Sequence, residues 1–465
     1  MLKCRGRFAK QKRLLEQNSA PQLIELFGKW VNLKEDFGNP KRLRLFFPSR
    51  MFWLFLFQVL SSDGSCREAL RKFLAWLAAQ KGMLASASTA SYCKARSRLS
   101  LKGIQKLSGR IAQKIVESET DAGLWCGRKV KVIDGSGISM PDTPQNQQAW
   151  PQSKRSKPGC GFPVMRIVAI FSLASGALLA LAKGSLYDHE RTLLRRLWNY
   201  LKPGDVALAD RGFCSYADFF LLAKRGVDSV MRKNQRRTVG ASVLKKLGEN
   251  DCLVEWHKTK TSARPNWLSE KQWENIPDKM TVREITYDVI VNGFRTKTIT
   301  VATTLTDPVA FPARAFAELY FKRWRVELYL RDIKITMGMD ILRCKIPEMV
   351  EKELWMRIIA YNLIRAVMQE SAITHGLPTE RLSFKGTLST LRQWAPTLSS
   401  PHVNKMENRV LYKVMLYYIA HDTVPLRPKR VEPRARKRRA KNYQLLNKPR
   451  KLLKEILHRN RYRRA

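Results

Sequence analysis

The stretch VALADRGFCSYADFFLLAKRGVDSVM, Val206 to Met231, decides the fold. Val206 to Ala209 is a four-residue apolar run that ends on Asp210. Tyr216 to Arg225 has helical spacing, and Val227 to Met231 is apolar again. Strand, helix and strand in that order imply a sheet with helices on its faces. Upstream, Val130 to Asp134 is a second short apolar strand ending at an acid, here before Gly135-Ser136-Gly137. Met165 to Leu173 and Ala177 to Ala182 are strands joined at Ser175-Gly176, so Pro163 to Ala182 is a buried hairpin despite its apolar length. His189 to Leu201 has an amphipathic pattern stopped by Pro203-Gly204.

Residues 233 to 310 break this rhythm. Ile285, Tyr287, Val289 and Val291 alternate, Asn292-Gly293 is a hairpin turn, and Phe294 to Thr303 returns as a strand, so a β-rich insertion is expected. A long helical pattern runs from Pro312 to Met337 and stops at Gly338, and another follows Pro347. Residues 1 to about 120 are helical throughout. Met51 to Leu60 is too short for a membrane span of about 20 residues.

The 465 residues include 86 Lys+Arg and 39 Asp+Glu, a net charge of +47, with 44% hydrophobic residues. The apolar content excludes a disordered polycation. The charge calls for a polyanionic partner, nucleic acid before membrane. The first 120 residues hold 23 Lys+Arg, and Phe46, Phe47 and Trp53 sit close to Arg42, Arg44 and Arg50, which suggests a DNA-binding module. The last 39 residues hold 17 Lys+Arg against two acids. The eight cysteines have no paired spacing, so neither a zinc site nor a disulfide framework is legible. With no secretory signal, the cytosol is expected.

The chemistry lies on the Pro312–Met337 helix. At about 100° per residue, Tyr320, Arg323, Glu327 and Lys334 fall within an arc of about 60°, flanked by Trp324. Leu319, Val326, Tyr329 and Ile333 form a separate apolar face. By itself that polar stripe reads as an ordinary solvated one. Asp134 and Asp210 at strand ends change its meaning, because ligands of open α/β sheets sit beyond the carboxyl ends of strands. Three converging carboxylates repel one another unless hard cations neutralise them, and Mg²⁺ takes oxygen ligands while leaving positions for phosphate.

These residues resemble a known family. Tyr320, Arg323, Glu327 and Lys334 have the spacing of the Y-R-E-K signature of DDE-type insertion-sequence transposases. Asp134 in VIDGSG and Asp210 in LADRGF resemble that family's first two acids, and Tyr361-Asn362-Leu363-Ile364-Arg365 its stretch after the signature. Gly137 departs from the hydroxyl residue expected after the Asp-Gly-Ser turn. The resemblance implies an α/β fold with an RNase-H-like mixed-sheet catalytic core. It divides the chain into a helical DNA-binding region (1–120), the first part of the core (121–232), the β-rich insertion (233–311), the glutamate helix with C-terminal helices (312–426) and a basic tail (427–465). It implies Asp134, Asp210 and Glu327 as catalytic metal ligands for two Mg²⁺ ions, with Mn²⁺ as substitute. Tyr320, Arg323, Trp324, Lys334 and Arg211 are the expected DNA-binding residues. His189 is expected to act as a helix cap or surface residue. The implied reaction is cut-and-paste transposition of double-stranded DNA, with inverted-repeat ends and target as substrates. It proceeds by nicking, a hairpin and strand transfer in a homodimeric paired-end complex, in the cytosol on the nucleoid and without a membrane. A same-fold nuclease lacking strand transfer and a non-catalytic DNA-binding protein are the competing readings.

Overall fold

The computed structural model describes residues 21–37, 45–79, 85–234, 242–258, 264–288, 298–400 and 403–425, with a few positions between 446 and 452. Arg42, Arg44, the Asn292-Gly293 turn, Val289, Val291 and nearly all of the basic tail lie outside them.

The described helices are α1 (Pro21–Phe27), α2 (Leu33–Phe37), α3 (Pro48–Leu60), α4 (Cys66–Ala79), α5 (Thr89–Ser97), α6 (Leu101–Glu117), α7 (Pro144–Ala149), α8 (Glu190–Arg195), α9 (Tyr216–Lys224), α10 (Glu270–Glu274), α11 (Ala313–Lys322), α12 (Arg325–Arg331), α13 (Pro347–Thr374), α14 (Phe384–Leu398) and α15 (Lys405–His421). Among the described residues nine strands form one mixed sheet: β1 (Val130–Ser139), β2 (Val164–Ser172), β3 (Leu178–Ser185), β4 (Val206–Ala209), β5 (Asp228–Arg232), β6 (Ser242–Gly248), β7 (Asp251–His257), β8 (Lys279–Asp288) and β9 (Thr298–Thr303). Their order is β3-β2-β1-β4-β5-β9-β8-β7-β6. β1, β2 and β3 form an antiparallel meander, while β4 and β5 run parallel to β1 through helical crossovers. This is the mixed α/β core expected from the resemblance.

The two faces of the sheet are covered by different helices, because side chains alternate along each strand. Ile133, Ala207 and Ala209 face a layer built by Leu193, Leu197, Phe219 and Leu222. Val130, Val132, Val206 and Leu208 face the other way, onto Val326, Tyr329, Ile333 and the buried length of α13.

Several sequence expectations need correction. β1 does not stop at Asp134. Its ladder to β2 continues through Gly135↔Val168, Ser136↔Ile167 and Gly137↔Arg166 to Ser139↔Val164, so the glycines are strand, not turn. The 189–201 segment is helical only over Glu190–Arg195, with a 3₁₀ turn at Trp198–Tyr200, and exposed His189 is an N-cap in backbone only, its side chain making no cap bond. The insertion contains β6 and β7, which the sequence reading missed, and β9 joins it antiparallel to β5, so its strands extend the core sheet. Fully buried Arg283 fastens it, donating to both Asp251 carboxylate oxygens (2.8 and 2.5 Å) and to the carbonyls of Asp307 and Phe311. Phe46, Phe47 and Trp53 are core residues, and Arg50 is buried, donating to the Leu45 carbonyl at 2.8 Å and lying 4.6 Å from the Phe47 ring. That group is packing rather than a DNA-facing surface.

The Tyr361–Arg365 stretch lies on α13 and is structural. The Asn362 amide accepts from the Leu178 N–H and donates to the Leu178 carbonyl, both at 2.9 Å, clamping the start of β3. Tyr361 donates to the Gly176 carbonyl at 2.7 Å. Gly176 has φ +72°, and a Cβ there would stand 2.9 Å from Arg365 Cζ and 3.0 Å from the Tyr329 ring. Only glycine meets both demands without strain.

Candidate active site

Asp134 and Asp210 are brought together by strand register. β1 and β4 are parallel, with Val132 opposite Leu208. Two residues further on, Asp134 is still in β1 while Asp210 is the first residue past β4, and the two carboxyls are near enough for Asp210 to raise the Asp134 pKa. β4 ends at Ala209 while β1 runs on, and among the described residues that edge of β1 is paired again only at Ser139, whose N–H donates to the Asp340 carbonyl and whose carbonyl accepts from Leu342 N, each at 2.9 Å. The acids hold their poses through short backbone bonds: Asp134 Oδ1 accepts from Gly135 N and Asp210 Oδ1 from Gly212 N, each at 2.8 Å. A Cβ at Gly212 would lie 3.0 Å from Asp210 Oδ1, so a larger residue would crowd that turn.

The third acid comes from a helix that packs on this face. The expected single helix from Pro312 to Met337 is interrupted twice. At Arg323 and Trp324 the bonding shortens to i→i−3: Arg323 to Tyr320, Trp324 to Phe321, Val326 to Arg323 and Glu327 to Trp324. Over Asp332–Thr336 it widens to a π-turn, in which Met337 N donates to Asp332 O at 3.0 Å. Gly338, φ +68°, then ends the run as the sequence predicts. A 3₁₀ step turns about 120° rather than 100°, so the uniform angular count holds only roughly. α12 nevertheless packs on β1, and Val326, Tyr329 and Ile333 are buried as its apolar face requires.

The result is one interacting cluster. Burial raises the Asp134 pKa from 3.8 to about 6. The Gly135 N–H and Arg323 pull it down, and Asp210 and Glu327 push it up. Glu327 Oε1 accepts from Arg323 Nη2 at 3.2 Å. Lys334 donates to Ser136 Oγ at 2.9 Å, which puts the lysine two residues along β1 from Asp134 and on the same face. Tyr320 is buried, with the Arg323 guanidinium 5.7 Å from its ring. Its hydroxyl pKa is raised, by burial first, against the pull of Arg323 and Arg232. Trp324 is 44% exposed and Arg211 is exposed, both available to a ligand surface. His189 lies outside this cluster, although its neighbour Glu190 packs against Gly135 from the opposite face of the sheet.

Two residues here were missed in the sequence. Tyr287 on β8 reads only as one member of an alternating strand, yet its Oη is buried without a hydrogen-bond partner among the described residues, as is Arg323 Nε. The Tyr287 pKa is raised by burial and then by Tyr320, while Arg232 and Arg323 lower it. Arg232 ends β5, and a basic residue closing a parallel strand was the available signal. Two buried donors without acceptors, beside two arginines, suit an anionic oxygen supplied from outside.

The donor set of the acids is all hard oxygen, the class preferred by Mg²⁺-type cations, which bind through one or two carboxylates plus substrate phosphates. Among the described residues no three His, Cys, Asp or Glu side chains are gathered closely enough to hold a metal ion together. No described helix is long and apolar enough to cross a membrane.

The sequence profile of the transposase DDE domain matches residues 125–363, slightly more than half of the chain. The transposase InsG for insertion sequence element IS4 of Escherichia coli (strain K12) is 29% identical over 353 residues, covering 75% of this chain and 76% of that protein. A solved piggyBac transposase synaptic complex with hairpin DNA aligns over 86% of this chain and 85% of its own, with TM-score 0.40 and 9% identity.

Proposed function

Because the chain belongs to the transposase DDE-domain family, we propose that it moves an insertion sequence by cut-and-paste transposition, with Asp134, Asp210 and Glu327 as the acids of the reaction centre. The observation that carries this is the parallel pairing of β1 and β4, which brings Asp134 on β1 near Asp210 just past the end of β4, on the side where the Glu327 helix packs on β1.

The three carboxylates would hold two divalent cations, Mg²⁺ or Mn²⁺ in its place. When bound, such ions activate the attacking oxygen and stabilise the leaving one in an in-line displacement. The protein's own side chains do the remainder. Arg323 clamps a phosphate as a planar fork, and Lys334 serves it as a point charge. The buried hydroxyls of Tyr320 and Tyr287, with Arg232, complete the phosphate cradle. Arg211 meets the backbone at the rim. Exposed Trp324 stacks on a base turned out of the duplex, a contact worth about 1–3 kcal/mol.

Water attacks the phosphodiester at the element's end and frees a 3′-OH. That hydroxyl attacks the opposite strand to close a hairpin, which is reopened. The regenerated 3′-OH then attacks target DNA, each step exchanging one phosphodiester bond for another or for water. The basic N-terminal region (1–120) and the tail (427–465) bind the DNA, the 121–232 and 312–426 segments supply the acids, and the 233–311 insertion lends Tyr287. Two copies pair the two ends, in the cytosol.

The test is incubation of the purified protein with an end-containing duplex and Mg²⁺, resolving nicked, hairpin and strand-transfer products. Glu327→Ala is expected to retain end binding and lose cleavage, and cleavage persisting in that variant would overturn the assignment. Nicking without strand transfer in the wild type would instead favour a nuclease.

A further inference from the structure

On the sheet face opposite the acids, a cavity of about 510 Å³ opens between α9, α10 and the Trp198–Tyr200 turn. Its volume is that of a small-molecule site. Trp198, Phe220 and Trp267 line it, with exposed Lys224 and Arg225 and the amide of Asn275. No acidic side chain stands among the described residues that line it.

The aromatic wall is fixed. The Trp198 and Trp267 rings meet at 90° with centroids 6.2 Å apart. The Arg195 guanidinium lies 3.7 Å from the Trp267 ring centre and is itself held by Asp218 through bonds of 2.7 and 2.9 Å. Arg225 reaches the Asn199 side chain at 3.1 Å. Trp198 Nε1 is buried without a hydrogen-bond partner among the described residues.

Two requirements follow from these groups. The ligand has a flat face for the aromatic corner and negative charge for Lys224 and Arg225. An apolar peptide meets only the first. We propose that this cavity binds an unpaired nucleobase of a DNA strand, with Lys224 and Arg225 on the adjoining phosphates. It is a second nucleic-acid site, remote from the carboxylates, and rests on the transposase reading only in taking DNA as the polyanion.

The experiment uses the full chain and a short single-stranded oligonucleotide carrying 5-iodouracil. Irradiation followed by peptide mapping is expected to place adducts on Trp198, Phe220 or Trp267. Adducts confined to other peptides would overturn the proposal. Trp198→Ala removes a stacking platform and should weaken single-strand binding about five- to 150-fold. Because that variant can also loosen the packing beneath it, the surface double variant Lys224→Glu, Arg225→Glu is measured beside it. Wild-type single-strand affinity in the double variant would also overturn the proposal. Nicking of an end-containing duplex is scored in parallel. Nicking without the adduct sinks the pocket alone, whereas the adduct without nicking keeps the pocket and sinks the transposase reading. Displacement of a fluorescent acidic peptide, with no base adduct, would assign the cavity to a protein partner and overturn the nucleobase.

Discussion

Replacing Asp134 by asparagine should make the metal-free protein more stable while ending its chemistry. Asp134 is buried beside Asp210 and Glu327, and its carboxyl titrates near 6 rather than 3.8. The folded state therefore binds this proton more tightly than the unfolded chain does. Below about pH 3.8 the carboxyl is neutral in both states and costs nothing. Between about pH 3.8 and 6 the unfolded chain sheds this proton while the folded protein keeps it, so the penalty grows at 1.36 kcal/mol per pH unit to about 3 kcal/mol and holds there to pH 8. Asparagine keeps the acceptor for Gly135 N–H and carries no charge. Urea denaturation in chelator should thus show the variant more stable than wild type by about 3 kcal/mol at pH 8, with the gap closing toward pH 4. Saturating Mg²⁺ should then raise the wild type far more than the variant, since only a ligand of the folded form stabilises it. A gap that is absent at pH 8, or the same at pH 4 and pH 8, would refute the reasoning that burial, helped by the neighbouring acids, makes the Asp134 charge costly.

Tyr287→Phe removes a buried hydroxyl that lacks a partner, so the DNA-free melting midpoint should hold or rise while end nicking falls about tenfold; unchanged nicking would leave Tyr287 outside the phosphate cradle. Asn362→Ala strips both bonds from the Leu178 backbone and should destabilise the protein by about 2–5 kcal/mol in denaturant titration; a cost under about 1 kcal/mol would show that β3 does not need the clamp. Gly176→Ala combines a left-handed backbone with contact against Arg365 and Tyr329 and should lower stability by about 2–4 kcal/mol, a loss that neutral melting behaviour would contradict.

Legibility in the sequence followed how locally each feature is determined. β4 could be read because Val206–Ala209 is buried on both faces and so is uniformly apolar. β1 was cut short because Gly135-Ser136-Gly137 has turn composition, and only its ladder with β2, more than 25 residues away, keeps it extended. β6 was invisible because it is an edge strand exposed along its length, carrying Lys245 and Lys246 in place of an apolar stripe. The spacing on the helix and an apolar run before each acid were legible, but that Asp134 lies inside β1 rather than at its end was not. Tyr287 and Arg232 could not, since they meet the site through the pairing of β8, β9 and β5, which no local pattern announces. Phe46, Phe47 and Trp53 misled for the converse reason: aromatics near arginines look the same in sequence whether they face DNA or a core.

Helix α13 has a wider significance. It is buried over nearly its whole length and touches α3, α6, α14 and α15 as well as the π-turn below Glu327. Lys352 reaches the Ser97 carbonyl at 2.7 Å and Gln369 the Ile115 carbonyl at 3.2 Å, while Arg365 pairs with Asp332 at 3.7 Å. The N-terminal helices and the reaction centre are thus two ends of one mechanical part, not beads on a string. A chimera that exchanges the first 120 residues between related proteins would inherit a broken seam unless α13 travelled with them. In such a chain a change in the N-terminal helices and a change in the geometry around Glu327 are mechanically coupled through one helix.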